Sequence, residues 1–345
     1  MIKHIPIHQQ FTYESIPRNK QLGITIANHC NAPDRVLVVD WAGECFVCSC
    51  EAWLPISMGK IEQFERLADV WANPIAQEIQ QDIRNKKYTH CAVDRCRIID
   101  MDRSDHTHDN YSISINIDES CNLRCPSCRN GLIMLDSGPV FEEKLARVKH
   151  LVKLLEQFDE PCQIIMSGNG DPLASAIMRP LLHEFQPKPN QKFRLFTNGL
   201  LLIKQLEKSR IVPNINQYFI SIDAGSAEVY EKVRLGGKWS VLIENFKYLK
   251  SLIEQTNASV LLTFVLQSDN WHDMENFADL CAKFGFDGVI NRLENWGTWA
   301  DFDNHDVMDP EHPDYLLALQ ALQKVYSREP KLQFNSSLEL ILKSS

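Results

Sequence analysis

The chain has 345 residues, 44% apolar and 23% charged, a size and composition that suit two globular domains or one large barrel. No run of 18 apolar residues is present and residues 1–10 have no apolar stretch of signal-peptide length, so a membrane span is excluded and a cytoplasmic protein is expected. A net charge of −9 without a basic run disfavours nucleic acid as partner, and in a reducing compartment the 11 cysteines read as metal ligands and buried thiols rather than disulfides.

Residues 22–100 carry six cysteines: Cys30, Cys45, Cys48, Cys50, Cys91 and Cys96. Residues 36–40 and 45–50 read as two strands of a hairpin turning at Ala42-Gly43. Alternate strand residues share a face, so Cys48 and Cys50 point one way and Cys45 the other. Residues 101–110 form the most polar stretch and read as a linker; His106 and His108 have no further ligand beside them and read as solvated.

From residue 111 strands and helices alternate. Strands are predicted at 111–117, 163–167, 192–197, 217–223, 259–266 and 288–292, with helices at 141–158, 172–185, 227–233, 240–255 and 274–284. In the last helix Phe277, Leu280, Cys281 and Phe284 share one face and Gly285 ends it. This alternation predicts an α/β fold with a parallel sheet and helical crossovers. Residues 294–302, with Trp296, Trp299 and Phe302, follow the sixth strand and read either as a substrate mouth or as a packed lid. Residues 311–327 read as a closing helix and the remainder as a short tail. Cys162 precedes the second strand, about 20 Å of extended chain from Gly168, and Cys281 sits on an apolar face, so neither is expected to act at the strand ends.

The feature that organises these elements is Cys121-Asn122-Leu123-Arg124-Cys125-Pro126-Ser127-Cys128. Its spacing holds three corners of a [4Fe–4S] cluster and leaves one iron open, as a catalytic site requires. A zinc knuckle or redox dithiol is the alternative, but the paired CxxC or histidines that zinc usually adds do not follow. After the next apolar run comes Ser167-Gly168-Asn169-Gly170-Asp171-Pro172. Further on stand Thr197-Asn198-Gly199, then Ser221-Ile222-Asp223-Ala224, then Tyr230 and Arg234. The cluster loop and the groups at 168–171, 197–199 and 223 all fall at C-terminal strand ends, where barrels of this kind gather their ligands.

In this combination the segment from about 111 to 300 resembles the radical S-adenosylmethionine (radical SAM) superfamily. The resemblance implies a partial (β/α)6 TIM-like barrel over 111–310, followed by a C-terminal helix and tail over 311–345. It implies that Cys121, Cys125 and Cys128 are the catalytic cluster ligands and that the open iron binds S-adenosylmethionine. One electron then cleaves the sulfonium, and the 5′-deoxyadenosyl radical abstracts a substrate hydrogen. The 167–172 stretch resembles the GGEP motif, with Asp171 in place of Glu. Gly168, Asn169, Gly170, Asp171, Thr197, Asn198, Ser221, Asp223 and Arg234 are thereby implied cofactor contacts. Ser127 stands where an aromatic residue usually packs near the adenine.

Cys30, twelve residues, Gly43, four residues and Cys48 resemble the opening of the SPASM and Twitch auxiliary iron–sulfur domains. This implies an auxiliary domain over residues 1–100 in which Cys30, Cys48, Cys91 and Cys96 close a second [4Fe–4S] cluster, with Cys50 an alternative to Cys48. In the family this domain usually follows the barrel; here it precedes it. Structural zinc on four cysteines is the alternative. Taken together, the resemblance implies net oxidation or crosslinking of a peptide or protein substrate. Dehydrogenation of a small molecule such as a sugar alcohol is the second enzyme reading. A non-catalytic Fe–S or zinc-structured protein is the third. A flavodoxin or ferredoxin is the expected electron donor. Because only about thirty residues precede Cys30, a separate peptide-recognition protein is expected too.

Overall fold

A computed structural model describes residues 30–49, 53–92, 96, 108–167, 169–328 and 332–344. Cys50, Gly168, His106 and residues 1–29 and 101–107 lie outside the described residues. The fold is mixed α/β with a parallel sheet, as a radical SAM partial barrel requires, and the cysteine-rich segment comes first. The chain divides into two compact units. The first comprises Met1–Glu119, Asp136–Asn169 and Ala176–Phe193; the second comprises Ser120–Leu135, Gly170–Ser175 and Arg194–Ser345.

The first unit starts with the hairpin of β1 (Val36–Val39) and β2 (Cys45–Phe46), paired antiparallel. Its turn is held by Asp40, whose Oδ1 accepts from Ala42 N at 2.9 Å and from Glu44 N at 2.7 Å. β3 (Tyr111–Ile115) runs parallel to β1, with Val36 opposite Ser112, and β4 (Cys162–Met166) runs parallel to β3. The hairpin therefore extends the same sheet that β3 and β4 belong to. Trp71 locks this arrangement. Its indole N–H donates to Val36 O at 3.1 Å, and its ring lies 4.8 Å from Tyr111 and 6.0 Å from Phe158.

Helix Pro139–Gln157 begins with proline at its first turn, where no N–H is needed, and buries Val148, Leu151, Leu154 and Leu155. It also buries Arg147, whose side chain is 2% exposed and pairs with Glu62 at 2.6 Å and Glu143 at 2.8 Å. That guanidinium leaves no room for a side chain at Gly43: a Cβ there would lie 2.3 Å from Arg147 Nε, and the backbone has φ +85°. Gly43→Ala is expected to destabilise this unit by about 3 kcal/mol, through left-handed strain plus a disturbed buried ion pair. Denaturant unfolding of the full chain checks this; an unchanged midpoint would mean that Arg147 swings clear without loss.

β5 (Gln191–Thr197) begins in the first unit and ends in the second. In the second unit β6 (Ile215–Ser221), β7 (Ser259–Leu266), β8 (Asp287–Arg292) and β9 (Gln333–Phe334) follow one another in parallel. Burial alternates along β5, β6 and β7, so one face is in the core and the other is half-buried or exposed. Helices Ala227–Val233, Trp239–Thr256 and Met274–Phe284 cover the core face with Leu242, Phe246, Phe277 and Cys281.

Two expectations are corrected. Residues 172–185 are not a continuous helix but turns followed by a short wide turn, Pro180–Glu184. Asp171 captures Leu173 N, and Pro180 supplies no N–H to continue a helix. The tail is not featureless: β9 adds to β8, and helix Ser336–Ser344 follows, burying Phe334 and Leu338. Among the described residues, no helix is long and apolar enough to cross a membrane.

Candidate active site

The cysteine loop lies within the second unit and is closed at its base by backbone bonds. Cys121 and Ile133 form an antiparallel bridge, with Cys121 N donating to Ile133 O at 2.9 Å. Ser120 Oγ accepts from Leu135 N at 2.9 Å, and Ser120 O accepts from Asp171 N at 2.8 Å. Farther along, Cys128 N and Arg129 N both donate to Cys125 O, at 3.0 and 3.1 Å, in a turn that brings Cys125 and Cys128 together. Cys125 is buried, Cys121 half-buried and Cys128 exposed.

Each thiol meets a side-chain N–H donor. Asn198 Nδ2 lies 3.7 Å from Cys121 Sγ, Arg234 Nη1 lies 3.7 Å from Cys125 Sγ, and Arg129 Nη2 lies 3.8 Å from Cys128 Sγ. Leu123 N adds a backbone donor to Cys121 Sγ at 3.4 Å. Burial pushes the Cys121 thiol up to about 11, helped by the charge of Asp171, while Leu123 N–H and Arg129 pull it down. Burial likewise raises Cys125, against the opposing pull of Arg234.

Two of these donors, Asn198 and Arg234, are positioned by carboxylates. Asp171 is buried and its oxygens are taken by the chain itself: Leu173 N at 2.9 Å, Thr197 Oγ1 at 2.9 Å and Asn198 N at 2.7 Å. Its carboxylate therefore orients Asn198, whose amide also donates to Asn122 Oδ1 at 2.9 Å. Asp223 sits just beyond β6 with φ +53°, a left-handed backbone that a non-glycine residue adopts only when its surroundings hold it. Val265 N donates to its Oδ1 at 2.8 Å, and its Oδ2 pairs with Arg234 at 2.7 Å. Burial disfavours the Arg234 charge, but Asp223 and Cys125 outweigh it and the guanidinium stays protonated.

The structure thus gathers two hydrogen-bonded groups within the second unit, Cys121 with Asn198, Asp171 and Thr197, and Cys125 with Arg234 and Asp223, at the site formed by the cysteine loop. Ser221 stands beside it, accepting from Thr263 Oγ1 at 3.1 Å on the half-buried face of β6. On that same face Phe219 stacks on Phe196 of β5, centroids 4.1 Å apart. Ser127 and Gly170 are half-buried and Asn169 is exposed. Sequence reasoning missed Asn122 and Arg129 as partners of the thiol network. Arg129 stands next to Cys128, the one local signal that pointed to it.

In the first unit, Cys30, Cys48, Cys91 and Cys96 line a single cavity, walled by apolar groups that include Trp53 and Leu54. Burial pushes Cys30 up to about 11, with Cys96 adding to it, and Cys91 well above its ordinary range, with Cys48, Cys96 and Cys30 adding to it. Cys45 is buried elsewhere in the hairpin, near Asp40, Glu44 and Glu62. Among the described residues, no three His, Cys, Asp or Glu side chains stand close enough to grip one metal ion.

Residues 115–281 match the family model described as Radical SAM superfamily. This segment belongs to the radical SAM superfamily. Its residues 30–97 match the SPASM model, described as an iron–sulfur cluster-binding domain. Among curated proteins none is significantly similar to the chain. Among solved structures, SuiB of Streptococcus suis bound to S-adenosylmethionine aligns at 15% identity, covering 78% of this chain and 58% of that one, with a TM-score of 0.41. SuiB bound to precursor peptide SuiA aligns at 16% identity over 75% and 61% of the two chains, TM-score 0.43. A radical SAM methyltransferase from Sphaerobacter thermophilus aligns at 16% identity over 64% of each, TM-score 0.40. The chain spans about three-fifths of the length of the SuiB structures.

The cofactors of this radical SAM protein are S-adenosylmethionine and iron–sulfur clusters. Its residues fit them. Three thiols on one short loop, each facing an N–H donor, match a thiolate-ligated cluster, whose sulfurs accept such bonds. Tyr230 Oη and Arg234 Nε are buried beside this loop and find no hydrogen-bond partner among the described residues. Buried polar atoms of that kind are costly unless a ligand completes them. The four thiols and apolar walls of the first-unit cavity fit a fully ligated cluster.

Proposed function

We propose that Cys121, Cys125 and Cys128 hold a [4Fe–4S] cluster with one iron open to S-adenosylmethionine, and that Cys30, Cys48, Cys91 and Cys96 hold an auxiliary [4Fe–4S] cluster. The observation that carries the first assignment is the N–H donor at each of the three thiols. When bound, these cofactors supply a one-electron cleavage of S-adenosylmethionine to methionine and a 5′-deoxyadenosyl radical that removes a substrate hydrogen.

The chain's own residues hold and orient. Asp171 keeps the Asn198 amide turned toward Cys121 and Asn122. Asp223 keeps Arg234 charged and beside Cys125, and leaves its Nε, with the Tyr230 hydroxyl, for the bound group. Gly170, in the GGEP-like stretch, allows backbone to approach the cofactor. Phe196, Phe219, Ser221 and Thr263 offer a mostly apolar floor on the half-buried strand face.

The reaction proposed is a net two-electron oxidation or crosslinking of a peptide or protein, with the four-cysteine site assisting. An electron donor of flavodoxin or ferredoxin type, and a separate recognition protein, complete this reading. The 294–302 segment favours a chain over a small molecule. Trp299 stacks on His305, just past the segment, at 4.0 Å, and Trp296 keeps 47% exposure, so these aromatics are engaged locally or left to solvent instead of drawn in as a lid.

The deciding test is iron, sulfide and zinc quantification on anaerobically reconstituted full-length protein. About eight irons per chain are expected, two clusters of four. Four irons with one zinc would demote the first-unit site to a structural role. Fewer than four irons would overturn the cluster assignment at Cys121, Cys125 and Cys128.

A further inference from the structure

We infer that Arg129 is a positioning charge that favours the one-electron-reduced form of the cluster held by Cys121, Cys125 and Cys128. The inference rests on the ligand assignment proposed above. Arg129 leaves a fixed turn, since its own N–H donates to Cys125 O at 3.1 Å. Its side chain doubles back so that Nη2 lies 3.8 Å from Cys128 Sγ. Its charge interacts with all three thiols, Cys128 most, then Cys121 and Cys125. No other side chain described at the loop combines this position with a positive charge. Arg234 reaches Cys125, but Asp223 stands 2.7 Å from it and offsets its charge. Asn198 is neutral, and Asp171 acts on Cys121 with the opposite sign.

Reduction adds one electron from a low-potential one-electron donor; no bond breaks and no proton moves. The cluster then carries one more negative charge, and a cation hydrogen-bonded to a ligand sulfur lowers the energy of that state. Arg129 therefore eases the electron transfer that must precede cleavage of S-adenosylmethionine, acting through Cys128 rather than by touching the substrate.

The test is a redox titration of reconstituted full-length protein with S-adenosylmethionine present, followed by electron paramagnetic resonance, for the wild type, R129Q and R129K. At the wild-type midpoint, R129Q is expected to show about a tenfold lower ratio of reduced to oxidised cluster, which is 59 mV for a one-electron couple. R129K is expected to recover most of that shift, because it restores the charge without the guanidinium. The signal that does not respond to S-adenosylmethionine, from the auxiliary site, serves as internal reference and is expected not to move. An unshifted R129Q midpoint overturns the inference. So does R129K behaving like R129Q, an equal shift in the reference signal, or loss of the cluster from both variants, which would make Arg129 structural. Failure of the underlying ligand assignment looks different: the wild type itself would then show no signal that responds to S-adenosylmethionine.

Discussion

Cys125→Ala is expected to abolish 5′-deoxyadenosine formation under anaerobic reduction, a fall of more than about 100-fold, since loss of groups merely supporting a metal ligand already costs 10–100-fold. Of the three loop thiols this one is the most enclosed, and it faces Arg234 at 3.7 Å. Alanine there removes both a proposed ligand and the acceptor for a nearly enclosed guanidinium whose side chain is only 11% exposed. Two cysteines in the loop would remain, too few to present a three-cornered site. Cys281→Ala is the control. Cys281 is a core thiol 1% exposed on helix Met274–Phe284, and its loss is expected to leave a substantial rate of 5′-deoxyadenosine formation. Chromatographic quantification of 5′-deoxyadenosine on both variants decides the matter; undiminished formation in Cys125→Ala would sink the catalytic assignment.

The second large effect is expected at Cys96. Cys96→Ala opens one corner of the four-thiol cavity and is expected to lower bound iron from about eight to about four per chain. Formation of 5′-deoxyadenosine is expected to persist within a few-fold, because the cysteine loop and its partners Asn198 and Arg234 belong to the other compact unit. Substrate turnover is expected to stop. The measurement pairs iron analysis with a mass-spectrometric assay for modified peptide. Normal turnover at four irons would mean that the four-cysteine site holds the fold and does not assist the reaction. Retention of eight irons would mean that a different thiol closes that site, with Cys50 the first to examine.

Much of this chain was legible before any coordinates. Strands β3 to β8 fall within one or two residues of their expected starts, because half-buried strands alternate and the intervening helices carry clear apolar faces. Ala227–Val233 and Met274–Phe284 match their expected bounds, the latter ended by Gly285 in the left-handed conformation, φ +71°. What failed was local pattern where side chains overrule it. Residues 172–185 have apolar spacing that suits a helix, but Asp171 takes the Leu173 N–H and Pro180 interrupts the ladder. The residues after 327 read as a short tail, yet Leu332 and Phe334 bury themselves beside β8.

The candidate site divides along the same line. Spacing alone singled out Cys121, Cys125 and Cys128, because ligands on one short loop must be close in space however the rest folds. Likewise Asp171, Asn198, Asp223 and Arg234 stood out by motif, but motif said nothing of where their atoms point. Only the tertiary structure decided that Asp171 spends its carboxylate on Thr197 and Asn198, that Arg234 bridges Asp223 and Cys125, and that Arg129 turns back onto Cys128. Only it decided that β1 of the cysteine-rich hairpin pairs in parallel with β3, Val36 against Ser112. Sequence by itself determined the chemistry available, since ligand type and loop spacing are local properties of the covalent chain. Hydrogen-bond direction and strand register are set by competition among groups far apart in sequence, so they exist only once the core has packed.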